Sequence, residues 1–308
     1  MSILRIEALR KTFGAVKALD GLDLTVEAGT VFGFLGPNGA GKTTTLRILA
    51  GLTHPTGGRA WVAGHPVGPE SRARALVGYL PEEPHFYTWM SAQEFLADYV
   101  AGLFRLERRE ARARASELLD RVGLKDAARR RIGGFSRGMR QRLGLAQALM
   151  NRPQILLLDE PVSALDPGGR RDMLELIGNL KDAATVFMST HILEDVERVC
   201  DTVGILDHGR LVALDAREAL LRRYAIPAIE VEFQGAPEAV AVWTEGLTGR
   251  PGITGVERTG SLVRIRLQGN DKTSLALQQQ VLGAGLPVVR YQVARPSLED
   301  VFLSLVED

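Results

Sequence analysis

The sequence predicts an α/β domain wound around a parallel sheet, followed by a smaller α+β domain. Three observations carry this. Residues 31–52, VFGFLGPNGAGKTTTLRILAGL, read as strand, glycine-rich loop and helix. Ile155, Leu156, Leu157 and Leu158 form a continuous apolar run ending in Asp159 and Glu160, as in a parallel strand buried on both faces. After about Asp215 the pattern changes to short strands alternating with helices.

The first stretch carries chemistry. Gly36, Pro37, Asn38, Gly39, Ala40, Gly41, Lys42 and Thr43 fit G-x-x-x-x-G-K-[ST], and Thr44 continues into the helix. Glycines let backbone N–H groups turn inward around phosphate oxygens. In this motif the lysine reaches the outer phosphates and the hydroxyl ligates Mg²⁺. Ligands bind at the carboxyl ends of parallel strands, where Asp159 is placed to help hold the Mg²⁺ and Glu160 to polarise an attacking water. Cradle and paired acids together indicate a nucleoside triphosphatase.

A second helix poses a different question. In residues 135–150, FSRGMRQRLGLAQALM, Met139, Leu143, Ala146 and Met150 recur at helical spacing. A helix N-terminus offers unpaired N–H groups and partial positive charge, yet this end carries Ser136, Arg137, Gly138 and Arg140 and no acid. It reads as an anion site.

With these motifs in place, the chain resembles the ATP-binding subunits of ABC transporters over residues 3–215. The resemblance implies a P-loop NTPase fold of ABC type, with a parallel-sheet core, an antiparallel β-subdomain and a helical subdomain. It implies that Phe13 stacks on adenine, that residues 36–44 are the Walker A loop, and that Asp159 and Glu160 close Walker B. Ser163, Ala164, Leu165 and Asp166 resemble the D-loop, and His191 sits at the position of the γ-phosphate-sensing histidine. Glu160, His191 and Lys42 form the implied catalytic set, with Thr43, Glu82 and Asp159 around Mg²⁺. Residues 135–139 occupy the signature position, where two subunits pair head to tail and Ser136 and Gly138 face ATP on the partner. Two departures stand out. The signature reads Phe-Ser-Arg-Gly-Met rather than Leu-Ser-Gly-Gly-Gln, and Glu82 replaces a more usual glutamine. These variants, with the ending PSLEDVFL, resemble the ABC-2-type exporter branch. The implied partners are a second ATP-binding subunit, giving a homodimer, and a separate integral membrane permease. The alternative is a soluble ABC ATPase of DNA repair or translation, disfavoured by the single cradle and the lack of a long heptad run.

The organisation expected is an ATPase domain over residues 1–218 and an accessory domain over 219–308. Residues 1–84 combine the antiparallel β-subdomain with the cradle, 85–150 are helical, and 203–213 form a hairpin around Asp207, His208 and Gly209. The accessory domain reads β-α-β-β-α-β, a ferredoxin-like sandwich, with Ser297 and Asp300 capping a last helix. Phe86, Tyr87 and Trp89 fall within six residues, 85–90, and some of them are expected to stay exposed as a docking groove for a short helix of the permease.

Composition excludes other classes. The net charge of +1 favours neither nucleic acid nor an anionic membrane surface. Cys200 is the only cysteine, so no internal disulfide forms. No run of about 18 apolar residues is present, and the N-terminal residues lack an apolar signal core. The expected location is cytoplasmic, peripheral on the membrane's cytoplasmic face.

Overall fold

The computed structural model describes residues 2–68, 71–163, 165–224, 228–234, 237–268, 271–294 and 297–306, with backbone alone at 271–276, 303 and 306. Ala164 of the D-loop segment lies outside the described residues. The chain divides into two compact units, residues 1–217 and 218–308.

The first unit opens with β1 (Ser2–Phe13) and β2 (Val16–Glu27), an antiparallel pair. β3 (Val31–Leu35) follows and leads through the glycine loop into α1 (Lys42–Leu49). The helix stops at Leu49 rather than Leu52, and the chain turns at Gly51 with φ +69°. β4 (Gly57–Val62) and β5 (His65–Pro66) complete a sheet of order β2-β1-β4-β5. Its inner face, including Leu4, Ile6, Leu22 and Leu24, joins one core with Phe32, Phe34, Leu46 and Ile48. Phe187 packs between them, 4.9 Å from Phe32 and 5.2 Å from Phe34.

β6 (Val77–Leu80) precedes the helical region. There Ser91 and Glu94 form a capping box that starts α2 (Ala92–Glu94), which continues through a π-type turn (Phe95–Val100) into α3 (Ala101–Leu103). α4 (Arg108–Arg121) keeps charge outward and buries Ala111, Ala115, Leu118 and Leu119. α5 (Arg137–Ala148) buries more than the stripe expected: Gln141, Gly144, Leu145 and Ala148 join Leu143 and Ala146, whereas Met139 is half-buried. Each fully buried leucine contributes about 1.5–3 kcal/mol. The aromatic segment splits. Tyr87 and Trp89 are exposed, whereas Phe86 is half-buried and packs edge-to-face on Phe95 at 5.2 Å.

β7 (Ile155–Asp159), α6 (Pro167–Gly178), β8 (Thr185–Thr190), α7 (Leu193–Val199), β9 (Thr202–Asp207) and β10 (Arg210–Ala216) complete the unit. The second sheet runs β10-β9-β3-β8-β7-β6, parallel except for the β10 hairpin. His208 and Gly209 form the hairpin turn with φ of +43° and +78°, a pairing suited to a two-residue turn. β3, β7 and β8 are buried at every residue.

The second unit begins within α8 (Arg217–Arg223). β11 (Ala228–Phe233), α9 (Pro237–Glu245), β12 (Ile253–Thr259), β13 (Leu262–Leu267), α10 (Asp271–Leu282) and β14 (Val288–Val293) give an antiparallel sheet of order β12-β13-β11-β14. This is the ferredoxin-like order. Ile229, Val231, Phe233, Val263 and Ile265 fill its core. Ser297 and Asp300 cap α11 (Leu298–Val306) reciprocally, Ser297 N–H donating to Asp300 Oδ2 at 3.1 Å and Asp300 N–H to Ser297 Oγ at 3.3 Å.

Candidate active site

The site forms where β3, β7 and β8 end side by side. After Leu35 the chain folds over the start of α1, whose cap is Gly41 at φ +108°. A Cβ at Gly41 would stand 2.4 Å from the Ala18 carbonyl oxygen, and one at Gly36 would stand 2.3 Å from that of Leu206. Neither position tolerates a side chain, so backbone closes around the loop. The resulting cleft, of about 210 Å³, is lined by Asn38, Gly39, Gly41, Lys42, Thr43 and Thr44, together with Ala18, Glu82, Glu160 and His191. No acid occupies the first turn of α1.

Charges are tightly arranged. Lys42 is only 6% exposed. Its Nζ donates to Gly36 O at 2.7 Å and Pro37 O at 3.1 Å, with Glu160 Oε1 at 3.5 Å. Burial lowers its pKa, and the nearby Glu160 carboxylate partly offsets this. Asp159 Oδ1 accepts from Thr43 Oγ1 at 3.0 Å and from Ser189 Oγ at 2.8 Å. Burial raises the Asp159 pKa, and those two hydrogen bonds pull it back. Glu160 lies one residue past β7 with φ +46°. That left-handed backbone is costly for a non-glycine residue, about 1–3 kcal/mol, and such strain clusters at functional sites. The Glu160 N–H donates to Ser189 O and Oγ, both at 3.2 Å. Its two carboxylate oxygens each stand 3.0 Å from His191 Nδ1.

The structure thus brings together Lys42, Thr43, Asp159, Glu160 and His191. It adds Ser189, which sequence reasoning missed. Ser189 ties the Asp159 carboxylate to the Glu160 backbone N–H because β7 and β8 pair in a register that sets Asp159 against it. The only signal was a polar residue closing the apolar run of β8.

Other expected residues stand apart. Phe13 ends β1, 52% exposed, with Lys11 Nζ 4.6 Å from its ring centre. Ser136, Gly138 and Asp166 do not line the cleft. Ser136 caps α5, its Oγ accepting from Met139 N–H at 3.2 Å. The two arginines at that end have other roles. Arg140 folds back to donate to Phe135 O at 3.0 Å and 3.2 Å, and Arg137 lies 3.7 Å from Glu83. Asp166 is exposed at the cap of α6. Among the described residues no three His, Cys, Asp or Glu side chains gather as a metal cage.

A glycine cradle at the end of β3, a buried lysine within it and paired acids at the end of β7 define a P-loop nucleoside triphosphatase. Comparison with known proteins narrows the class. Residues 19–163 match the ABC transporter family, and residues 217–306 match the C-terminal domain of DrrA1-3-like ATP-binding proteins. The chain is 38% identical to an uncharacterized ABC transporter ATP-binding protein, YxlF, of Bacillus subtilis, over 99% of both chains. It is 37% identical to the daunorubicin resistance ATP-binding protein DrrA3 of Streptomyces coeruleorubidus, over 98% of this chain and 95% of the relative. Among solved structures, a dimeric ATP-binding cassette in a post-hydrolysis state with ADP and phosphate superposes with a TM-score of 0.63 at 25% identity, covering 69% of this chain and 98% of that one. The chain belongs to the ATP-binding proteins of ABC transporters. It binds ATP and is an ATPase of transport. The soluble repair or translation alternative falls away, since the match to transporter subunits runs the full length.

Proposed function

We propose that this protein is the ATP-hydrolysing motor of an ABC-2-type exporter, a head-to-tail homodimer on the cytoplasmic face of the membrane that drives a separate permease. The observation that carries the chemistry is Glu160 held between Lys42, at 3.5 Å, and His191, at 3.0 Å, in the same cleft as the cradle. Residues 36–44 and Lys42 hold the phosphates. Glu160 orients a water and takes its proton as the γ-phosphate is attacked. His191 fixes the Glu160 carboxylate and meets the γ-phosphate. Phe13, open to solvent, stacks on adenine.

Mg²⁺ fits the residues present. Thr43 Oγ1 and Asp159 Oδ1 lie 3.0 Å apart, and Glu82 lines the same cleft. An all-oxygen donor set with few protein ligands suits this hard cation, which takes the rest from phosphate and water. When bound it neutralises charge on the phosphates. The second copy supplies Ser136, Gly138 and Asp166. The Ser136 oxygen accepts from its own helix, so its hydroxyl proton is left to donate to a phosphate.

Export is supported by the daunorubicin-resistance relative and by the DrrA-like C-terminal match. No helix among the described residues is long and apolar enough to cross a membrane. A docking surface for the permease is offered by Tyr87, Trp89, Leu103 and Phe104, all exposed on the helical region. Beside Trp89 opens a cleft of about 650 Å³ lined by Glu94, Asp98, Arg112, Arg129 and Arg131. Exposed aromatic clusters of this kind mark interfaces. The test of the chemistry is Glu160→Gln. ATP binding persists because Lys42 and Thr43 are intact, while turnover falls by about a hundredfold or more. Near-normal turnover would remove Glu160 from its role.

A further inference from the structure

The two loops that carry Glu160 and His191 leave neighbouring strands and are tied together again further on. From β7 the chain passes Glu160 and enters α6, whose fourth residue is Arg170. From β8 it passes His191 and enters α7, whose third residue is Asp195. Arg170 Nε donates to Asp195 Oδ1 at 2.6 Å. The Asp195 side chain is 1% exposed and that of Arg170 31%. Asp195 Oδ2 is buried and has no hydrogen-bond partner among the described residues. This carboxylate therefore depends on Arg170. Neither residue lines the nucleotide cleft.

α7 is only seven residues long and starts two residues after His191. Two of its residues are buried, Asp195 and Val196. Val196 rests on β3, so close that a Cβ at Gly33 would stand 2.9 Å from its Cγ1. Asp195 is turned to α6 instead. The apolar contact is non-directional, whereas a charge-assisted hydrogen bond is short and directional. The Arg170 bond is thus the contact that fixes α7 along α6. Fixing α7 fixes His191, because only Ile192 separates it from the helix. Replacing a buried ion pair by packed apolar residues is often neutral or stabilising. Stability alone therefore does not call for charges here, but a single placement of His191 does.

We propose that Arg170 and Asp195 are positioning residues for ATP hydrolysis, whose bond holds α7 so that His191 Nδ1 stays 3.0 Å from the Glu160 carboxylate. This rests on the role proposed for His191. The Glu160–His191 contact closes a frame at the strand ends, and the Arg170–Asp195 bond closes it at the first turns of the two helices. When the far bond is lost, His191 drifts at the near one. A misplacement of about 1 Å can cost about a hundredfold in rate even when the change lies away from the chemistry.

The test uses the full chain and removes both charges at once, because a single truncation leaves the other charge unpaired. In the double variant Arg170→Met with Asp195→Leu, the new side chains have Leu165, Pro167 and Leu174 beside them, around a cleft of about 350 Å³. The fold holds, with a melting temperature within about 3 °C of the starting protein. Turnover at saturating ATP falls by about tenfold or more, while the ATP dissociation constant changes by less than about twofold. Asp195→Asn keeps the side-chain shape and loses turnover in the same direction. The decisive arm repeats the double change in a His191→Ala chain. With the imidazole gone nothing is left to position, so the residual turnover falls by less than about twofold further. A purely structural pair would cost the same factor in both backgrounds. Unchanged turnover in the folded double variant and in Asp195→Asn, or an equal loss with and without His191, would overturn the proposal. Normal turnover in His191→Ala alone would instead overturn the role proposed for His191, so the two failures are told apart.

Discussion

The N-terminal ends of α1 and α5 are the same physical device in two settings. Both present free N–H groups with no acid in the first turn. At α1 the chain finishes the site itself: Lys42 is buried in the loop, Thr43 is tied to Asp159, and Glu160 and His191 line the same cleft. At α5 the chain stops short. Ser136 is exposed, and the arginines nearby are engaged with Phe135 O and Glu83. The difference teaches a division of labour. On the proposed function, one end holds a nucleotide with residues of its own chain, and the other is completed from outside. On the proposed reading that is ATP held by a second copy.

The sharpest way to break this contrast is Gly138→Asp. A Cβ at Gly138 meets only Leu165 Cδ2, at an ordinary 3.5 Å. An aspartate in a first helical turn stabilises a helix by about 0.3–1 kcal/mol, so the fold survives. Its carboxylate takes the place of the awaited anion, and turnover falls by at least about a hundredfold. ATP affinity, measured by equilibrium binding, stays unchanged. A drop in affinity as well would mean that α5 serves its own cradle.

Phe13→Ala sharpens the α1 side. Loss of stacking weakens ATP and GTP together by about 1 kcal/mol, or roughly fivefold, because a ring face reads little of the base edge. Selective loss of one nucleotide in a binding titration would rule out plain stacking.

A smaller effect probes the charge stored in the cradle. The Asp159 pKa is raised above 3.8 by burial. The folded chain then binds the more protons just above that value, so stability falls as pH rises through this window and the penalty persists at neutral pH. Asp159→Asn keeps an oxygen for Thr43 and Ser189, and should raise the apparent melting temperature at neutral pH by about 2–4 °C. The gain should vanish below the unfolded-state pKa. A destabilised Asp159→Asn protein at neutral pH would show that the hydrogen bonds outweigh burial.

Much of this site was legible in the sequence because its parts are local. The glycine loop and Lys42 lie within one strand-loop-helix segment, and Asp159 and Glu160 close one apolar run. What depends on long-range register was not legible. Ser189 reaches the Asp159 carboxylate and the Glu160 backbone N–H only because β8 lies beside β7. The aromatic segment was half readable: spacing could not tell that Phe86 turns inward onto Phe95 while Trp89 stays out. The breadth of the buried face of α5 escaped the stripe for the same reason, since several elements pack on it. In the second unit, alternation gave the strands, but the order β12-β13-β11-β14 depends on long-range pairing that alternation does not carry.

The most direct measurement mixes two crippled chains. Lys42→Ala removes the cradle's cation and spares α5, whereas Gly138→Asp spares the cradle and blocks α5. Each alone should be nearly inactive. In a mixed head-to-tail dimer, one composite site pairs the intact cradle of one chain with the intact α5 end of the other. Mixing should therefore restore ATP turnover, rising with the concentration of either chain. A mixture no more active than its separate parts would contradict the account.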